Sequence, residues 1–299
     1  MAAPPDHALS WALTALGGDL AEVVPLREGG APWLVRTTTG TSGVLRIGYA
    51  ERPGESARMA TEAAALTVAQ QLGVAAPRVL AADSTGAAAG VLALLITEAA
   101  GSSRIPRTTT AARLQAFGGA VARLAAVPLG PSPELPLRER SLEDWDFAAL
   151  RAGTASGLLL ATAEQHVAVR PVPPTPTVLV HGDLWHGNVM WVGEEVSAII
   201  DWDAAGAGPA GIDLGGARCD AALLFDPDAP EHVLAGWEAV AGRAADDVAY
   251  WDVVGALGTQ PDMAVWIPAI HDQGRTDLTA DDLNRRRDAF LRAALDALP

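Results

Sequence analysis

The decapeptide HGDLWHGNVM, residues 181–190, concentrates side chains that could do chemistry. It lies between the apolar run TVLV (177–180) and a second apolar stretch. Asp183 offers a carboxylate that can accept a proton, and Asn188 offers an amide oxygen that can bind a cation. Polar groups placed between two apolar segments in this way predict a reaction centre.

A hairpin is predicted directly after this cluster. The sequence VMWVGEEVSAII indicates two antiparallel strands joined by a three-residue loop at 193–195. The register of such a hairpin places Asn188 opposite Ile200, and therefore beside Asp201. An amide oxygen and a carboxylate that converge suit Mg²⁺, which prefers oxygen ligands and completes its shell with water and substrate phosphates.

Together the three polar side chains predict phosphoryl transfer. Asp183 lies five positions before Asn188, on the loop that enters the hairpin, where it can accept a proton from an attacking hydroxyl. A metal ion would neutralise the phosphates at the same time.

Composition limits the partners of this chemistry. The chain has 299 residues, 49% of them hydrophobic, which is enough for one large domain or two lobes. It has a net charge of -15 and no lysine, and from Asp201 onward it has 18 acidic residues against 7 arginines. This excess argues against nucleic acid and favours a small cationic partner. Acids that merely keep the surface soluble are the alternative explanation.

The sequence shows no membrane or targeting segment. No run reaches the roughly 18 to 20 apolar residues of a membrane span, and MAAPPDH lacks the basic-then-apolar order of a secretory signal. We therefore expect a cytoplasmic protein without a membrane partner. Cys219, the single cysteine, excludes an internal disulfide and is expected to be a small buried side chain.

Periodicity divides the chain into a β-rich first part and a mostly helical second part. Strands are predicted around 23–27, 33–37, 43–47 and 91–98. Helices are predicted at 55–73, 111–127, 141–151 and 153–169. After these, a single further β region is expected, running from TVLV through the hairpin.

One predicted helix carries an acid on its apolar face. The residues that recur there at steps of three and four are Met59, Glu62, Leu66 and Ala69. A buried carboxylate needs a partner, because leaving it unpaired is strongly unfavourable, and Arg46 on the neighbouring strand can supply the charge. An exposed pair between Arg58 and Glu62 is the alternative.

With these residues in place, the chain resembles the aminoglycoside phosphotransferase family, bacterial relatives of protein and choline kinases. The resemblance spans nearly the whole chain, and its strongest part is HGDLWHGN followed by IIDWD. It implies an α+β, two-lobe, protein-kinase-like fold. A small β-rich N-lobe with one helix would bind nucleotide at 1–98, and a larger helical C-lobe at 99–299 would hold the catalytic loop, the metal site and the substrate pocket.

The resemblance implies a role for each motif residue. Asp183 would be the catalytic base, and Asn188 and Asp201 would bind Mg²⁺. Glu62 matches the helix glutamate that steadies a strand lysine against the phosphates of ATP or GTP, and Arg46 replaces that lysine here. A guanidinium can also bridge phosphate oxygens, but its fork is larger and its geometry differs.

Two further segments would meet the nucleotide. Gly29 and Gly30 in EGGAPW allow backbone amides to approach phosphate, although they fall short of the full glycine-rich pattern. The segment ITEAAG matches the hinge between lobes. There the backbone groups of Thr97, Glu98 and Ala99 could form hydrogen bonds with a purine base.

Asp203 follows Asp201 by two residues and could reach the substrate or a second metal ion, and the resemblance implies the same role for Trp266 and Asp272, which fall where the family builds its substrate pocket. For Asp203, a structural hydrogen bond to its own loop is the alternative. His181 and Asp213 resemble structural residues of the family. No function is predicted for His186.

These features predict a nucleotide-dependent O-phosphotransferase that acts on a small cationic molecule. An antibiotic of the aminoglycoside or a similar polar class is the first hypothesis. A kinase of a small metabolite, such as choline, a sugar amine or homoserine, is the second. A nucleotide-binding pseudokinase is the third, because Arg46 stands where the family has lysine.

Overall fold

The computed structural model describes residues 3–27, 30–142, 145–151 and 157–298. The chain folds as two compact units. The first comprises residues 1–100 and 198–203, and the second comprises 101–197 and 204–299. The sequence did not predict that 198–203 would join the first unit. Nucleotide binding by an N-lobe at 1–98, and a catalytic loop, metal site and substrate pocket in a C-lobe at 99–299, stay predictions.

The first unit is built on a five-stranded antiparallel sheet. Its strands are β1 (Leu20–Arg27), β2 (Gly30–Thr37), β3 (Ser42–Gly48), β4 (Val79–Asp83) and β5 (Leu92–Ile96). Their order in the sheet is β1-β2-β3-β5-β4, so β3 is central and is paired on both sides. Four of these strands were predicted, and β4 was not.

A helix that the sequence did not predict covers this sheet. α1 (Asp6–Leu16) begins after Pro5 and ends at Gly17, which adopts a left-handed φ of 73°. Its buried side chains, which belong to one core with β2, β3 and β5, are Ala8, Ala12 and Leu16. The expectation of a single N-lobe helix was wrong. The contact is made largely by alanines, which give a weak hydrophobic signal.

The second helix of this unit was predicted. α2 (Glu55–Gln71) ends two residues earlier than expected. Its apolar face is buried as the periodicity indicated, and the acid on that face, Glu62, is buried with it.

The second unit is mostly helical. Its helices are α3 (Ala111–Ala125), α4 (Phe147–Arg151), α5 (Gly157–Ala168), α6 (Gly211–Leu224), α7 (Ala229–Ala241), α8 (Val248–Leu257), α9 (Ile267–Asp272) and α10 (Ala280–Ala297). Short 3-10 helices run from His186 to Asn188 and from Met263 to Trp266. Of the helix expected at 141–151, the structure shows Phe147–Arg151 as helical, and residues 143–144 lie outside the described residues. Part of the helix expected at 153–169 lies outside the described residues.

Short strands frame the polar cluster. They are β6 (Thr177–Val180), β7 (Val189–Val192), β8 (Glu195–Ile199) and β9 (Gly206–Pro209). β7 and β8 form the predicted hairpin, whereas β6 pairs with β9, a strand that was not foreseen. The hairpin loop is one residue shorter than predicted, because Glu195 already belongs to β8.

α6 lies at the centre of the helical unit and packs against α3, α7, α8 and α10. Its contact with α8 is made through backbone. A Cβ on Gly215 would lie 2.0 Å from the carbonyl oxygen of Trp251, and a Cβ on Gly255 would lie 2.4 Å from that of Gly215. Glycine is therefore required at both positions, and α6 is held firmly in place. Cys219 of this helix is buried, as predicted.

Within the described ranges, no helix combines the length and apolarity that crossing a bilayer requires.

Candidate active site

The polar loop begins where β6 ends, and α6 anchors its first residues. The backbone N–H of His181 donates to Oδ2 of Asp213 at 2.7 Å, and the N–H of Gly182 donates to Oδ1 at 3.0 Å. Burial raises the pKa of the Asp213 carboxyl to about 6, although these two hydrogen bonds oppose the shift. The structural role expected for Asp213 is confirmed.

A tight turn then aims the loop. Gly182 adopts a φ of 78°, and a Cβ there would lie 2.3 Å from the carbonyl oxygen of Ala204. A larger residue would therefore clash as well as strain the backbone. The buried imidazole of His181 accepts the N–H of Asp183 at its Nδ1 atom, at 3.3 Å. This contact gives His181 the loop-holding role that the sequence indicated.

Asp183 and Asn188 meet across this loop. The Asn188 amide nitrogen Nδ2 lies 2.9 Å from the carbonyl oxygen of Asp183 and 3.3 Å from its Oδ2 atom. The amide nitrogen is thus committed to Asp183, which leaves Oδ1 of Asn188 as the atom suited to a cation. Asp183 itself is half-buried. The structure brings these two predicted residues together.

His186 is a residue that the sequence analysis left without a role. It is only 1% exposed, and it lies among the rings of Phe117, Phe225 and Trp191. Its backbone N–H and its Nδ1 atom both contact Oδ2 of Asp220, at 2.9 and 2.5 Å. The sequence did contain a signal for the contact between Asp220 and the loop. Asp220 follows Asp213 by seven residues and so lies on the same face of α6.

The first unit contains a separate charged cluster centred on Arg46 of β3. Its Nη1 atom lies 2.7 Å from Oε1 of Glu62 and 2.7 Å from Oδ1 of Asp201. Glu62 is 1% exposed. Arg58 instead pairs with Glu55 at 3.2 Å. The predicted buried pair between Arg46 and Glu62 is therefore confirmed, and the exposed alternative is wrong.

The charges of this cluster stabilise one another. Burial by itself would lower the pKa of the Arg46 guanidinium, but the negative charges of Glu62 and Asp201 outweigh it and hold that pKa above its usual value. Burial raises the pKa of the Glu62 carboxyl, and the charge of Arg46 counteracts the rise. With Nη1 of Arg46 only 2.7 Å from Oε1 of Glu62, the guanidinium favours the ionised form of this carboxyl against the effect of burial.

The segment that carries Asp201 is fixed by its own backbone. Asp201 has a φ of 69°, a left-handed conformation that is uncommon outside glycine. The next residue, Trp202, is fully buried, and its Nε1 atom donates to the carbonyl oxygen of Ile199 at 2.8 Å. Strained backbone of this kind is frequent at functional sites. The pKa of Asp203 is raised to about 6 by burial and by the neighbouring charge of Asp201.

The remaining predicted residues differ in what surrounds them. Gly29 lies outside the described residues, and Gly30 begins β2. The backbone N–H of Thr97 donates to the carbonyl oxygen of Arg78 at 2.9 Å, and the contact of its backbone with a purine base stays a prediction. Glu98 is exposed and accepts a hydrogen bond from Ser42 at 3.3 Å.

Ala99 lies half-buried three residues beyond the end of β5. Trp266 closes the second 3-10 helix and is half-buried, and Asp272 is exposed at the end of α9. The roles assigned to these three residues stay predictions.

Comparison with solved structures identifies the fold. Macrolide 2'-phosphotransferase MphH from Brachybacterium faecium is 20% identical, with 99% of both chains covered and a TM-score of 0.61. Amicoumacin kinase hAmiN, in complex with AMP-PNP, Ca²⁺ and Ami, is 16% identical over 97% of this chain and 94% of that one, with a TM-score of 0.64. A thermostable mutant of aminoglycoside phosphotransferase APH(4)-Ia, in a ternary complex with ADP and hygromycin B, is 17% identical over 95% and 97% of the two chains, with a TM-score of 0.61.

At these identities the likeness shows the fold alone. The α+β, kinase-like fold with a β-rich N-terminal sheet and a helical C-terminal region is thereby confirmed. A search among curated proteins found no match.

The family follows from a direct match of the sequence. The model of the APH family, described as the phosphotransferase enzyme family, matches residues 22–257, which is most of the chain. This match favours an enzyme over the pseudokinase hypothesis. The chain belongs to the APH phosphotransferase enzyme family, and it is a kinase-like enzyme that transfers a phosphoryl group to a hydroxyl group.

Proposed function

We propose that the protein is a nucleotide-dependent O-phosphotransferase whose acceptor is a small cationic molecule, an antibiotic of the aminoglycoside or a similar polar class. The observation that carries this proposal is the loop in which Asn188 donates to Asp183. That loop presents a proton acceptor together with an amide oxygen, the pair that phosphoryl transfer from a metal-bound nucleotide requires.

Asp183 is the proposed catalytic base. Its carboxylate accepts the proton of the acceptor hydroxyl as the oxygen attacks the terminal phosphorus of the nucleotide. The bond from that phosphorus to the bridging oxygen breaks, and the nucleoside diphosphate leaves. The hydrogen bond from the Asn188 amide to Oδ2 of Asp183 keeps this carboxylate oriented, at 3.3 Å. General base catalysis of this kind contributes roughly 10² to 10⁴ in rate.

Asn188 and Asp201 are the proposed ligands of a divalent cation, with Mg²⁺ as the expected ion. Among the residues that the structure describes, no three His, Cys, Asp or Glu side chains form a metal cluster. A site with few protein ligands, completed by water and phosphate oxygens, is the arrangement that Mg²⁺ favours. The bound ion would supply positive charge to the phosphates. The Ca²⁺ and AMP-PNP bound to hAmiN support this part of the proposal.

Arg46 is the proposed phosphate contact of the nucleotide, which is ATP or GTP. Glu62 holds its guanidinium at 2.7 Å, much as the family's glutamate would hold a lysine. Gly29 and Gly30 would bring backbone amides to the phosphates, and the backbone groups of Thr97, Glu98 and Ala99 would meet the base.

The acceptor class is proposed from charge and from similarity. The excess of 18 acidic residues over 7 arginines after residue 200 favours a cation. APH(4)-Ia was solved with hygromycin B bound, and hAmiN is named an amicoumacin kinase. Both similar structures are consistent with an antibiotic acceptor. Asp203, Trp266 and Asp272 are the residues proposed to meet the substrate or a second metal ion.

The test is phosphate transfer from labelled ATP and GTP to a panel of acceptors. The panel contains aminoglycosides, macrolides, choline, sugar amines and homoserine, each assayed with Mg²⁺. We expect turnover of at least one cationic antibiotic and raised tolerance in a sensitive bacterium that expresses the protein. Phosphorylation of a metabolite alone, with no gain in tolerance, would replace the antibiotic with the metabolite as acceptor.

A further inference from the structure

Two carboxylates of α6 hold opposite ends of the polar loop. Asp213, in the first turn of the helix, binds the backbone at residues 181 and 182. Asp220, seven residues later and on the same helix face, binds His186. The loop that carries Asp183 is therefore tied to a single rigid helix at both ends.

Asp220 contacts His186 through two hydrogen bonds. Oδ2 of Asp220 contacts both the backbone nitrogen and Nδ1 of His186, and a carboxylate oxygen can only accept, so Nδ1 carries the hydrogen. In the part of the chain that the structure describes, Nε2 of His186 has no hydrogen-bond partner. The orientation of the imidazole among its aromatic neighbours thus depends on Asp220.

The position of the His186 imidazole also affects Asn188, the proposed metal ligand. His186 is the first residue of the 3-10 helix that ends at Asn188, and the N–H of Asn188 donates to the carbonyl oxygen of Trp185 at 3.0 Å. Only one residue separates the clamped imidazole from the amide. A displacement of His186 would therefore move the Asn188 side chain and the atoms it binds.

We infer that Asp220, acting through His186, is a positioning residue that sets the Asn188 amide oxygen and thereby the affinity for the divalent cation. The inference rests on the proposed function, because it takes Asn188 as a metal ligand. Residues that hold metal ligands in place commonly change metal affinity by about 10-fold to 100-fold when they are replaced.

The experiment compares Asp220→Asn with Asp252→Asn. Asp252 of α8 is a matched control: it is equally buried, binds Arg218 of α6 at 2.8 Å, and undergoes the same chemical change. Calorimetry measures the dissociation constant of AMP-PNP with and without Mg²⁺ for each folded variant. We expect Asp220→Asn to weaken Mg²⁺-dependent binding about 10-fold, with metal-free binding unchanged, whereas Asp252→Asn leaves both constants near those of the wild type.

A second variant covers the case in which Asp220→Asn does not fold. His186→Phe keeps an aromatic ring and the backbone bond to Asp220 but removes the Nδ1 contact, and it is expected to weaken Mg²⁺-dependent binding in the same direction. The inference would be overturned if Asp220→Asn or His186→Phe bound AMP-PNP with the same Mg²⁺ dependence as the wild type and Asp252→Asn. If the wild type bound AMP-PNP no better with Mg²⁺, the proposed function would fail, and the inference would fall with it.

Discussion

Among the individual residues, Arg46 connects two acids, Glu62 and Asp201. The guanidinium lies 2.7 Å from both Glu62 and Asp201, so it satisfies a carboxylate buried on α2 and also contacts a proposed metal ligand. Both contacts are made by Nη1, an NH₂ group whose two hydrogens can each be donated to one carboxylate. Arg46 therefore pairs with Glu62 and Asp201 at the same time.

Removing this guanidinium should destabilise the protein. Arg46→Met leaves Glu62 buried without a cationic partner and is expected to lower the free energy of unfolding by about 3 kcal/mol. The double variant Arg46→Met with Glu62→Met should recover most of the loss, because no charge is left buried. Urea unfolding followed by circular dichroism measures all three proteins.

An exposed ion pair provides the control for this experiment. Arg36 contacts Glu22 at 2.6 Å, and both side chains are about half exposed. Arg36→Met should cost no more than about 1 kcal/mol. Equal losses for Arg46→Met and Arg36→Met would show that the burial of Glu62 does not determine the stability of this pair.

Asp213 should make the free energy of unfolding depend on pH. Its pKa is raised by burial from 3.8 to about 6, so between these values the folded protein keeps a proton that the unfolded chain has lost. The contribution of Asp213 to stability is therefore full below pH 3.8 and is lost as the pH rises through about 6.

Asp213→Asn should remove this dependence. The difference in the free energy of unfolding between variant and wild type is expected to change across the interval from pH 3.8 to about 6 and to be constant above it. Urea unfolding at a series of pH values measures it. A difference that stays constant over the whole interval would show that the carboxyl titrates at its ordinary pKa.

At the scale of elements, the strands and helices with strong periodicity were predictable. α2 was found because its apolar positions recur at regular steps, and β3 because it contains the β-branched apolar residues Val44 and Ile47 next to a turn sequence. α1 buries mainly alanines, and β9 is the short run Gly206–Pro209, whose residues have low strand propensity. These elements form because tertiary packing selects them, which a local pattern does not reveal.

The candidate site was predictable to the same degree. Asp183, Asn188 and the Arg46–Glu62 pair follow from residue types and spacing along the chain. The contact of His186 with Asp220 joins residues 34 positions apart, and it depends on where α6 packs. Likewise, the hydrogen bond from the N–H of Thr97 to the carbonyl oxygen of Arg78 depends on the strand pairing beside β5.

The packing of α6 against α8 should tolerate no side chain at Gly215. A Cβ there would lie 2.0 Å from the carbonyl oxygen of Trp251, so Gly215→Ala should force the helices apart and lower the free energy of unfolding by about 1 to 3 kcal/mol. Because α6 also carries Asp213 and Asp220, phosphoryl transfer should fall as well. Thermal unfolding and turnover measure the two effects.

The neighbouring glycine is a matched control. The nearest atom to a Cβ on Gly216 is Oγ of Ser141, at 3.6 Å, so a methyl group fits. Gly216→Ala should be neutral or should stabilise the helix by up to about 1 kcal/mol. If the two alanine variants had the same stability, the close approach of α6 and α8 would not be what requires glycine at 215.

At the scale of the whole molecule, a kinase-like fold is combined with a strongly acidic chain. The net charge of -15 arises mainly after residue 200, in the part of the chain that includes α6 to α10. A charge of this size raises the local concentration of cations and accelerates their encounter with the protein. In the proposed function, this charge favours a cationic acceptor over an anionic one.

The rate of phosphoryl transfer by Asp183→Asn tests whether Asp183 is the catalytic base. The amide keeps the shape of the side chain but cannot accept the proton of the acceptor hydroxyl. Asp296→Asn, which removes an exposed acid of α10, controls for the loss of one negative charge. Single-turnover assays with Mg²⁺, nucleotide and the best acceptor of the panel give the rates.

We expect Asp183→Asn to lose at least about 100-fold in the transfer rate while its dissociation constant for AMP-PNP stays within about twofold of the wild type. Asp296→Asn should transfer phosphate at the wild-type rate. An Asp183→Asn protein that binds nucleotide normally and transfers phosphate as fast as the wild type would contradict the assignment of Asp183 as the base.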